Sequence, residues 1–122
     1  MTRMKVRIKK LTDVPDPHYS HSGDAGLDLY ASEDITLDSM EIKAVPTGIQ
    51  VEIPEAHVGL VWDKSGKALN SSLHTLAGVI DSSYRGEIKV VMANLGKQAF
   101  TFKKNDKVAQ LLIQPVVSAE LE

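Results

Sequence analysis

The sequence predicts an all-β fold, built as a barrel or a sandwich. Short runs of alternating apolar and polar residues recur along the chain, and turn-forming clusters separate them roughly every 8 to 12 residues. No segment carries a sustained apolar stripe with the 3.6-residue period of a surface helix. The 122 residues suffice for one hydrophobic core, so residues 1–122 are expected to form a single domain.

The strands are expected at the alternating runs. In chain order these are MKVRIKK, LDLY, MEIKAV, GIQVEI, VGLVW, EIKVVMANL, AFTF and VAQLLI. In the first run Met4, Val6 and Ile8 share one face and basic residues share the other, which is the pattern of a half-buried strand. The last run also fits a helical period, but it is short and leads into Pro115, which favours a strand.

The polar segments between these runs are predicted to be turns, because Gly, Pro, Asn, Asp and Ser dominate them. They are DVPDPHYSHSGDAG, SEDI, PTG, PEAHVG, DKSGKALNSS, DSSYRG, NLGK and KKND. The predicted architecture therefore contains no helix.

The composition points to an oligomer. Hydrophobic residues make up 43% of the chain but aromatic residues only 5%, so a lone barrel would have a thinly packed core. Burial of strand faces between copies of the chain would compensate, which predicts a homo-oligomer. The apolar segment VAQLLIQPVV is the candidate for an exchanged or interfacial strand.

The charge and cysteine content limit the classes of function that the sequence supports. A net charge of −2 gives no basic footprint for nucleic acid. No apolar run approaches the ~18 residues of a membrane span, and the absence of cysteine suits a reducing cytoplasm. His18 and His21 form an H-x-x-H pair, but no third ligand stands at a recognisable spacing, so a zinc site is not expected.

Four clusters of polar residues interrupt the regular alternation of predicted strands and turns. Asp28 lies opposite the apolar face of its strand, and Gln110 stands within an apolar strand. The turn containing residues 64–66 offers a cation, a hydroxyl and backbone amides to a phosphate. Asp81 and Tyr84 stand at the mouth of another strand. Taken singly, Asp28, Gln110 and the KSG turn more often prove to be ordinary solvated or satisfied features.

Together, these clusters carry a family resemblance. In chain order, DAGLDLYA, WDKSGKA, AGVIDSSYRGEIKV and NDKVAQL resemble the first four signature motifs of the trimeric dUTPase family, and VPTGIQVEIP, between the first two, adds to the resemblance, which covers roughly residues 4–117. The GVIDxxYRG stretch is the most specific part. The resemblance implies a distorted β-barrel of jelly-roll type, a homotrimer with shared active sites, and hydrolysis of dUTP to dUMP and pyrophosphate with Mg²⁺.

The resemblance also assigns roles in the hairpin. Residues 78–80, which are Gly78, Val79 and Ile80, would hold uracil through their backbone amides and carbonyls. Tyr84 matches the ring that packs beneath deoxyribose and leaves no space for a 2′-hydroxyl. Asp81 matches the carboxylate that contacts the 3′-hydroxyl and orients the attacking water. Arg85 is at least as well explained as a residue that closes the turn.

The other motifs match the phosphate side of the site. By the same resemblance, Lys64, Ser65 and Gly66 would bind the phosphate chain, and Gln110 would donate near the α-phosphate. Asp28 matches an acidic residue that holds Mg²⁺ through water, as expected for a hard ion that stays largely hydrated.

The sequence departs from the family pattern in two ways. Lys64 stands where the family usually has arginine, which exchanges a planar bidentate donor for a point charge, and Lys107 stands where the fourth motif commonly has arginine, at a position less tied to the chemistry. No segment after residue 117 matches the glycine-rich fifth motif that closes over the nucleotide. Both departures leave open a nucleotide-binding regulatory protein with weak or no turnover. A related dCTP deaminase is the weaker alternative, because no arginine-rich second motif and no clear catalytic glutamate are found.

Overall fold

The architecture is a jelly-roll-like β fold with one short helix, and the computed structural model describes residues 3–122. Within these residues the strands are β1 (Arg7–Lys10), β2 (Leu27–Tyr30), β3 (Ile35–Leu37), β4 (Ile42–Glu52), β5 (His57–Trp62), β6 (Leu73–Leu76), β7 (Val79–Ile80), β8 (Glu87–Asn94), β9 (Phe100–Phe102) and β10 (Lys107–Pro115). The helix α1 (Ser65–Ser71) lies between β5 and β6. The prediction of an all-β fold is confirmed.

One antiparallel sheet contains β1, β4, β8 and β6, in that spatial order. The long strand β4 pairs with β8 over most of its length and with β1 at its end, where Glu52 lies opposite Arg7. All four residues of β1 are exposed, and of the predicted inner face only Val6, just before β1, packs against the core, so β1 is a mainly solvent-facing edge. Its basic side chains protect that edge from pairing with another chain.

The second antiparallel sheet contains β2, β10, β5 and β7, and it positions the motifs identified from sequence. The strand β10 is central in this sheet. Its residue Gln110 lies opposite Asp28 of β2 on one side and opposite Trp62 of β5 on the other. The short strands β3 and β9 form a separate antiparallel pair.

All three sheets contribute to one hydrophobic cluster. Phe102 of β9 is its largest fully buried side chain, and most of the others are aliphatic. Its buried members are Val14, Leu29, Ala31, Leu37, Val45, Ile49, Val51, Ile53, Val61, Leu73, Ile88, Val90, Met92, Phe102, Val108, Ala109 and Leu111. Along β8, buried Ile88 and Val90 flank exposed Lys89, which is the alternation that the sequence predicted for this strand.

The helix α1 corrects the prediction that DKSGKALNSS is only a turn. Lys, Ala and Leu within the segment have high helix propensity, and Ser72 ends the helix in the left-handed conformation, with its N–H bonded to the carbonyl of Ala68. None of the seven helical residues is buried, so the segment has no apolar stripe from which the helix could be predicted. Within residues 3–122, no helix has the length and apolar character needed to cross a membrane.

A β-bulge corrects the prediction that the PTG segment is a turn between two strands. The strand β4 continues through it, with a register shift against β8 between Pro46 and Gln50. Gly48 takes a φ of 72° at the bulge, and its N–H donates to Glu87 Oε2 at 3.0 Å. Thr47 Oγ1 donates to the Ile88 carbonyl at 2.5 Å, so two bonds to β8 hold the irregular backbone.

The apolar C-terminal segment, predicted as an exchanged or interfacial strand, forms part of a sheet of its own chain, and a role between subunits stays a prediction. Up to Pro115 it is β10, which pairs within its own chain on both sides. Beyond β10, Val117 and Leu121 are almost fully exposed. Assembly into an oligomer remains a prediction, as does the single domain.

Candidate active site

A cavity of about 170 Å³ opens beside the hairpin that joins β7 to β8. Its lining residues are Val79, Ile80, Asp81, Tyr84, Glu87 and Lys89. Pockets that enclose a whole drug-sized ligand measure ~300–1,000 Å³, so this cavity fits one ring of a larger ligand. The hairpin residues predicted from sequence are thereby brought together around one space.

The backbone of β7 is available to a ligand. This two-residue strand pairs with β5 at Leu60 and Gly59, and it ends the sheet, so within residues 3–122 no strand lies along its other side. Val79 is 64% exposed. The edge of a sheet presents free amide and carbonyl groups that another strand, or a planar ring with matching donors and acceptors, can pair with.

Gly78 fixes the start of this edge. Its φ is 101°, a conformation that side chains with a Cβ rarely adopt. A Cβ on Gly78 would lie 2.9 Å from the carbonyl oxygen of Val61, and the N–H of Val61 donates to the Gly78 carbonyl at 2.9 Å. The close approach of the two strands therefore requires glycine at this position.

The turn after β7 is tied together by its own residues. Tyr84 Oη donates to the carbonyl of Glu87 at 2.7 Å, and the Tyr84 N–H donates to the carbonyl of Asp81 at 3.1 Å. The guanidinium of Arg85 donates to the carbonyls of Ser82 and Tyr84. These bonds hold the Tyr84 ring against the cavity and support the structural role expected for Arg85.

Asp81 differs from its neighbours because its side chain stays open. It is exposed at the cavity wall, and among the hydrogen bonds and ion pairs of residues 3–122 none involves its carboxylate. A carboxylate in this state can accept a proton from a water molecule held in the cavity.

A second polar cluster forms where β2, β10 and the start of α1 meet. The carboxylate of Asp28 is 1% exposed and contacts Lys64 Nζ at 2.7 Å and Lys107 Nζ at 3.2 Å. The hydroxyl of Ser20 donates to the same carboxylate. Burial alone would raise the pKa of Asp28, but the hydrogen bonds from Lys64, Ser20 and Lys107 outweigh it and lower the pKa to about 2. Asp28 is therefore ionised and fully engaged, not the solvated strand residue that its pattern alone favours.

Gln110 joins this cluster through the loop after β5. Its Nε2 donates to the backbone carbonyl of Asp63 at 2.9 Å, directly before Lys64. Ser65 and Gly66 follow as the first residues of α1, and no side chain caps that helix end. The free N–H groups of a first helical turn attract an anion. Gln110 thus lies beside the segment that contains Lys64, Ser65 and Gly66, and their phosphate-binding roles stay predictions.

Asp63 is a residue that the sequence analysis missed. Its Oδ1 accepts the N–H of Thr75 at 2.6 Å, and its Oδ2 lies 2.6 Å from Nδ1 of His74. Burial alone would raise the pKa of Asp63, but the hydrogen bonds from His74 and Thr75 outweigh burial, so the pKa lies below its usual value. Asp63 ties the phosphate-side loop to β6; only its position beside Lys64 could have drawn attention to it.

The two clusters lie apart in one chain. Gln110 lies opposite Trp62 of β5, whereas Ile80 lies opposite Gly59, three positions earlier in the same strand. Three residues of strand and two strand spacings together separate Gln110 from Ile80 by roughly 14 Å. Within residues 3–122, the hairpin cavity includes none of the phosphate-side residues.

The described residues do not fit a metal held by protein ligands. Residues 3–122 contain no group of three or more His, Asp or Glu side chains arranged to hold an ion. The predicted role of Asp28 in holding Mg²⁺ through water stays a prediction, and its ion pairs with Lys64 and Lys107 argue against it.

Comparisons with known proteins agree on one family. A family model described as dUTPase matches residues 12–122. A Clostridium kluyveri protein named deoxyuridine 5′-triphosphate nucleotidohydrolase is 46% identical over 116 residues, which cover 93% of this chain and 81% of that protein. A protein of the same name from Anaeromyxobacter sp. is 48% identical over 107 residues, which cover 86% and 73% of the two chains.

A solved structure agrees as well. The dUTPase from phage phi11 of S. aureus superposes with a TM-score of 0.93 at 25% identity, covering 98% of this chain and 95% of the phage enzyme. The structure of a mutant of that phage enzyme describes the coordination of a structural Mg(II) ion.

Proposed function

The chain belongs to the dUTPase family, and from this membership we propose that it hydrolyses dUTP to dUMP and pyrophosphate. The observation that carries the proposal is the cavity beside β7, which combines an open strand edge with Asp81 and Tyr84. A base-sized space, a ring for the sugar and a free carboxylate are three of the parts that this reaction requires.

Uracil is the proposed occupant of the cavity. Its ring carries a donor between two acceptors, which can pair with the backbone groups of Val79 and Ile80 as a neighbouring strand would. Cytosine differs at two of these three positions, with an acceptor at N3 and a donor at N4, and would leave backbone groups of the bound strand edge unpaired. Such a mismatch can reduce kcat/KM by about 10⁴-fold or more. The edge strand therefore supports uracil as the base.

Asp81 is the proposed general base. The oxygen of one water molecule forms a bond to the α-phosphorus, and the bond from that phosphorus to the bridging oxygen of the β-phosphate breaks. Pyrophosphate leaves with the electron pair, and the proton of the water passes to the Asp81 carboxylate. This step requires a hydrogen bond of ~2.6–3.2 Å between the water and the carboxylate, which the open position of Asp81 allows.

The phosphate chain is the proposed ligand of the second cluster. Lys64 supplies positive charge, Ser65 a hydroxyl, Gly66 a backbone N–H, and Gln110 an amide donor. Donors fixed before the substrate arrives stabilise developing charge on phosphate oxygens without rearranging during the reaction. The substrate is proposed to be the Mg²⁺ complex of dUTP, with the ion carried by the phosphates.

A homotrimer is the proposed active assembly. The separation of the hairpin from the phosphate-side cluster within one chain supports a site completed by a neighbouring copy, as the family resemblance implies. The cytoplasm stays the predicted compartment.

A nucleotide-binding protein with weak turnover remains the second candidate function. It is favoured by Lys64, which replaces the arginine usual in the family and offers the phosphates a point charge in place of a planar bidentate donor. In this candidate the pocket retains dUTP, but the phosphates are positioned less well for attack.

One assay distinguishes these functions. The protein is incubated with Mg²⁺ and dUTP, dCTP, dTTP or UTP, and pyrophosphate, ammonia and nucleotide binding are measured. We expect pyrophosphate from dUTP alone, and we expect Asp81→Asn to lower kcat by at least about 10²-fold while the affinity for dUTP stays within a few-fold. Ser83→Ala, an exposed change in the same turn, is the matched control and should leave kcat unchanged.

Other outcomes contradict the proposal. Tight binding of dUTP without pyrophosphate would support the second candidate, and ammonia from dCTP would indicate a deaminase. Near-normal turnover by Asp81→Asn would remove Asp81 from its assigned role.

A further inference from the structure

Two lysines meet at one buried carboxylate in the phosphate-side cluster. Lys64 Nζ approaches Oδ1 of Asp28 at 2.7 Å, and Lys107 Nζ approaches Oδ2 at 3.2 Å. The two lysines come from different parts of the chain, the loop before α1 and the first residue of β10. Both stand where the resemblance places arginine in the family, so the two substituted positions contact the same carboxylate.

The cluster keeps an unbalanced positive charge at the surface. One carboxylate faces two ammonium groups, which leaves a net charge of +1 by count. The side chains of Lys64 and Lys107 are 30% and 47% exposed, whereas that of Asp28 is 1% exposed. The carboxylate is thus hidden beneath the lysines, and an approaching anion meets ammonium groups first.

The lysines also retain hydrogen-bond donors. An ammonium group has three N–H bonds. Lys64 uses one on Asp28, and Lys107 uses one on Asp28 and one, at 3.4 Å, on the hydroxyl of Ser20. The remaining N–H groups can bind phosphate oxygens, and the shared carboxylate limits how far the two flexible side chains move.

From these contacts we propose that Asp28 is a positioning residue, and that it holds Lys64 and Lys107 as one paired binding site for the phosphate oxygens of the nucleotide. Lys107 is then a second phosphate-binding lysine. This inference rests on the proposed function, since it assumes that a nucleoside triphosphate occupies the site.

The same contacts leave little room for a hydrated ion at Asp28. A carboxylate offers about four acceptor positions. Lys64 occupies one on Oδ1, and Lys107 and Ser20 occupy two on Oδ2. Because the group is also 1% exposed, a hydrated Mg²⁺ has no open face to approach. The role of Asp28 toward the substrate therefore runs through the lysines.

The test measures binding rather than turnover. Isothermal titration with dUpNHpp, a dUTP analogue with an imido bridge, is performed in EDTA and again in Mg²⁺. We expect Lys107→Met to weaken binding about tenfold in both conditions, because a charge-assisted hydrogen bond is lost. Lys107→Arg should restore most of the affinity. Lys104→Met, which removes an exposed lysine from the preceding turn, is the matched control and should bind as the unchanged protein does.

Asp28→Asn tests the positioning role. It should weaken dUpNHpp in EDTA as well as in Mg²⁺, whereas deoxyuridine, which has no phosphate, should bind all variants within about twofold of the unchanged protein. Circular dichroism and thermal melting check that Asp28→Asn folds. If Asp28→Asn does not fold, the measurement on Lys107→Met tests the inference by itself, because the Lys107 side chain is half exposed.

Three results would overturn the inference. The first is a Lys107→Met protein whose affinity for dUpNHpp stays within about twofold of that of the unchanged protein, under conditions in which Lys64→Met lowers the affinity. The second is Asp28→Asn losing affinity only when Mg²⁺ is present, which would return Asp28 to a metal-holding role. The third is no binding of dUpNHpp by the unchanged protein, which would overturn the proposed function as well; the first two leave that function standing.

Discussion

The side chains of residues 81–86 have different roles in one short turn: some hold the turn closed, and one stays open to the cavity. Arg85 closes it by donating to the carbonyls of Ser82 and Tyr84, and the hydroxyl of Tyr84 reaches the carbonyl of Glu87. Asp81 makes no such bond among the described residues and remains open to the cavity. A minimal Asn-Gly turn would connect the strands, but it would offer neither a ring nor a carboxylate.

Replacement of Tyr84 tests the assignment of its ring to the sugar. We expect Tyr84→Ala to reduce the preference for dUTP over UTP about tenfold, because nothing then excludes the 2′-hydroxyl. The measurement is the ratio of kcat/KM for the two nucleotides.

The control for this prediction is Tyr84→Phe. It removes only the hydroxyl that bonds to Glu87, so the ring and the preference for dUTP should remain. Unchanged discrimination in Tyr84→Ala would show that another group excludes the 2′-hydroxyl.

The contacts between individual side chains were harder to predict from the sequence than the identity of the site residues. Asp81 and Tyr84 could be identified because they belong to one contiguous motif. Asp63 could not, because its partners His74 and Thr75 lie beyond a helix that the sequence did not predict. The meeting of Lys64 and Lys107 at Asp28 depends on strand register, which no local pattern reveals.

At the scale of elements, the strands were predictable wherever one face is buried. Alternation marks β8 correctly because its buried and exposed positions differ in hydrophobicity. The helix α1 has no buried face, and the bulge in β4 carries Pro and Gly within a continuous strand. In both places the local composition resembles a turn, while hydrogen bonds from distant residues decide the structure.

Replacement of Gly78 tests the edge strand as an element. We expect Gly78→Ala to lower the free energy of unfolding by about 1–3 kcal/mol, because its positive φ and the close carbonyl of Val61 both oppose a side chain. The measurement is urea unfolding at a fixed protein concentration.

Gly66→Ala is the matched control for stability. A Cβ there meets nothing within 4 Å, and its φ is not in the left-handed region. Alanine favours a helix over glycine by about 1 kcal/mol, so stability should stay equal or rise. A Gly78→Ala protein as stable as the Gly66→Ala protein would mean that the β5–β7 contact is not tight.

At the scale of the whole molecule, one sheet carries both halves of the site. The strand β7 ends this sheet and borders the base cavity, while β2 and β10 at its other side carry Asp28 and Gln110. The motifs and their order were visible in the sequence. Their division into two separated groups follows from the pairing of β5 with both β10 and β7, and became apparent only in the structure.

The central claim is that the hairpin of one subunit and the phosphate-side cluster of another form one active site. The direct measurement is dUTP hydrolysis by two inactive variants, Asp81→Asn and Lys64→Met/Gln110→Ala, assayed separately and after they are unfolded and refolded together. With random assembly, about a quarter of the sites receive one intact half from each variant, so the mixture should recover about a quarter of the normal activity. A mixture no more active than the separate variants would contradict a site shared between subunits.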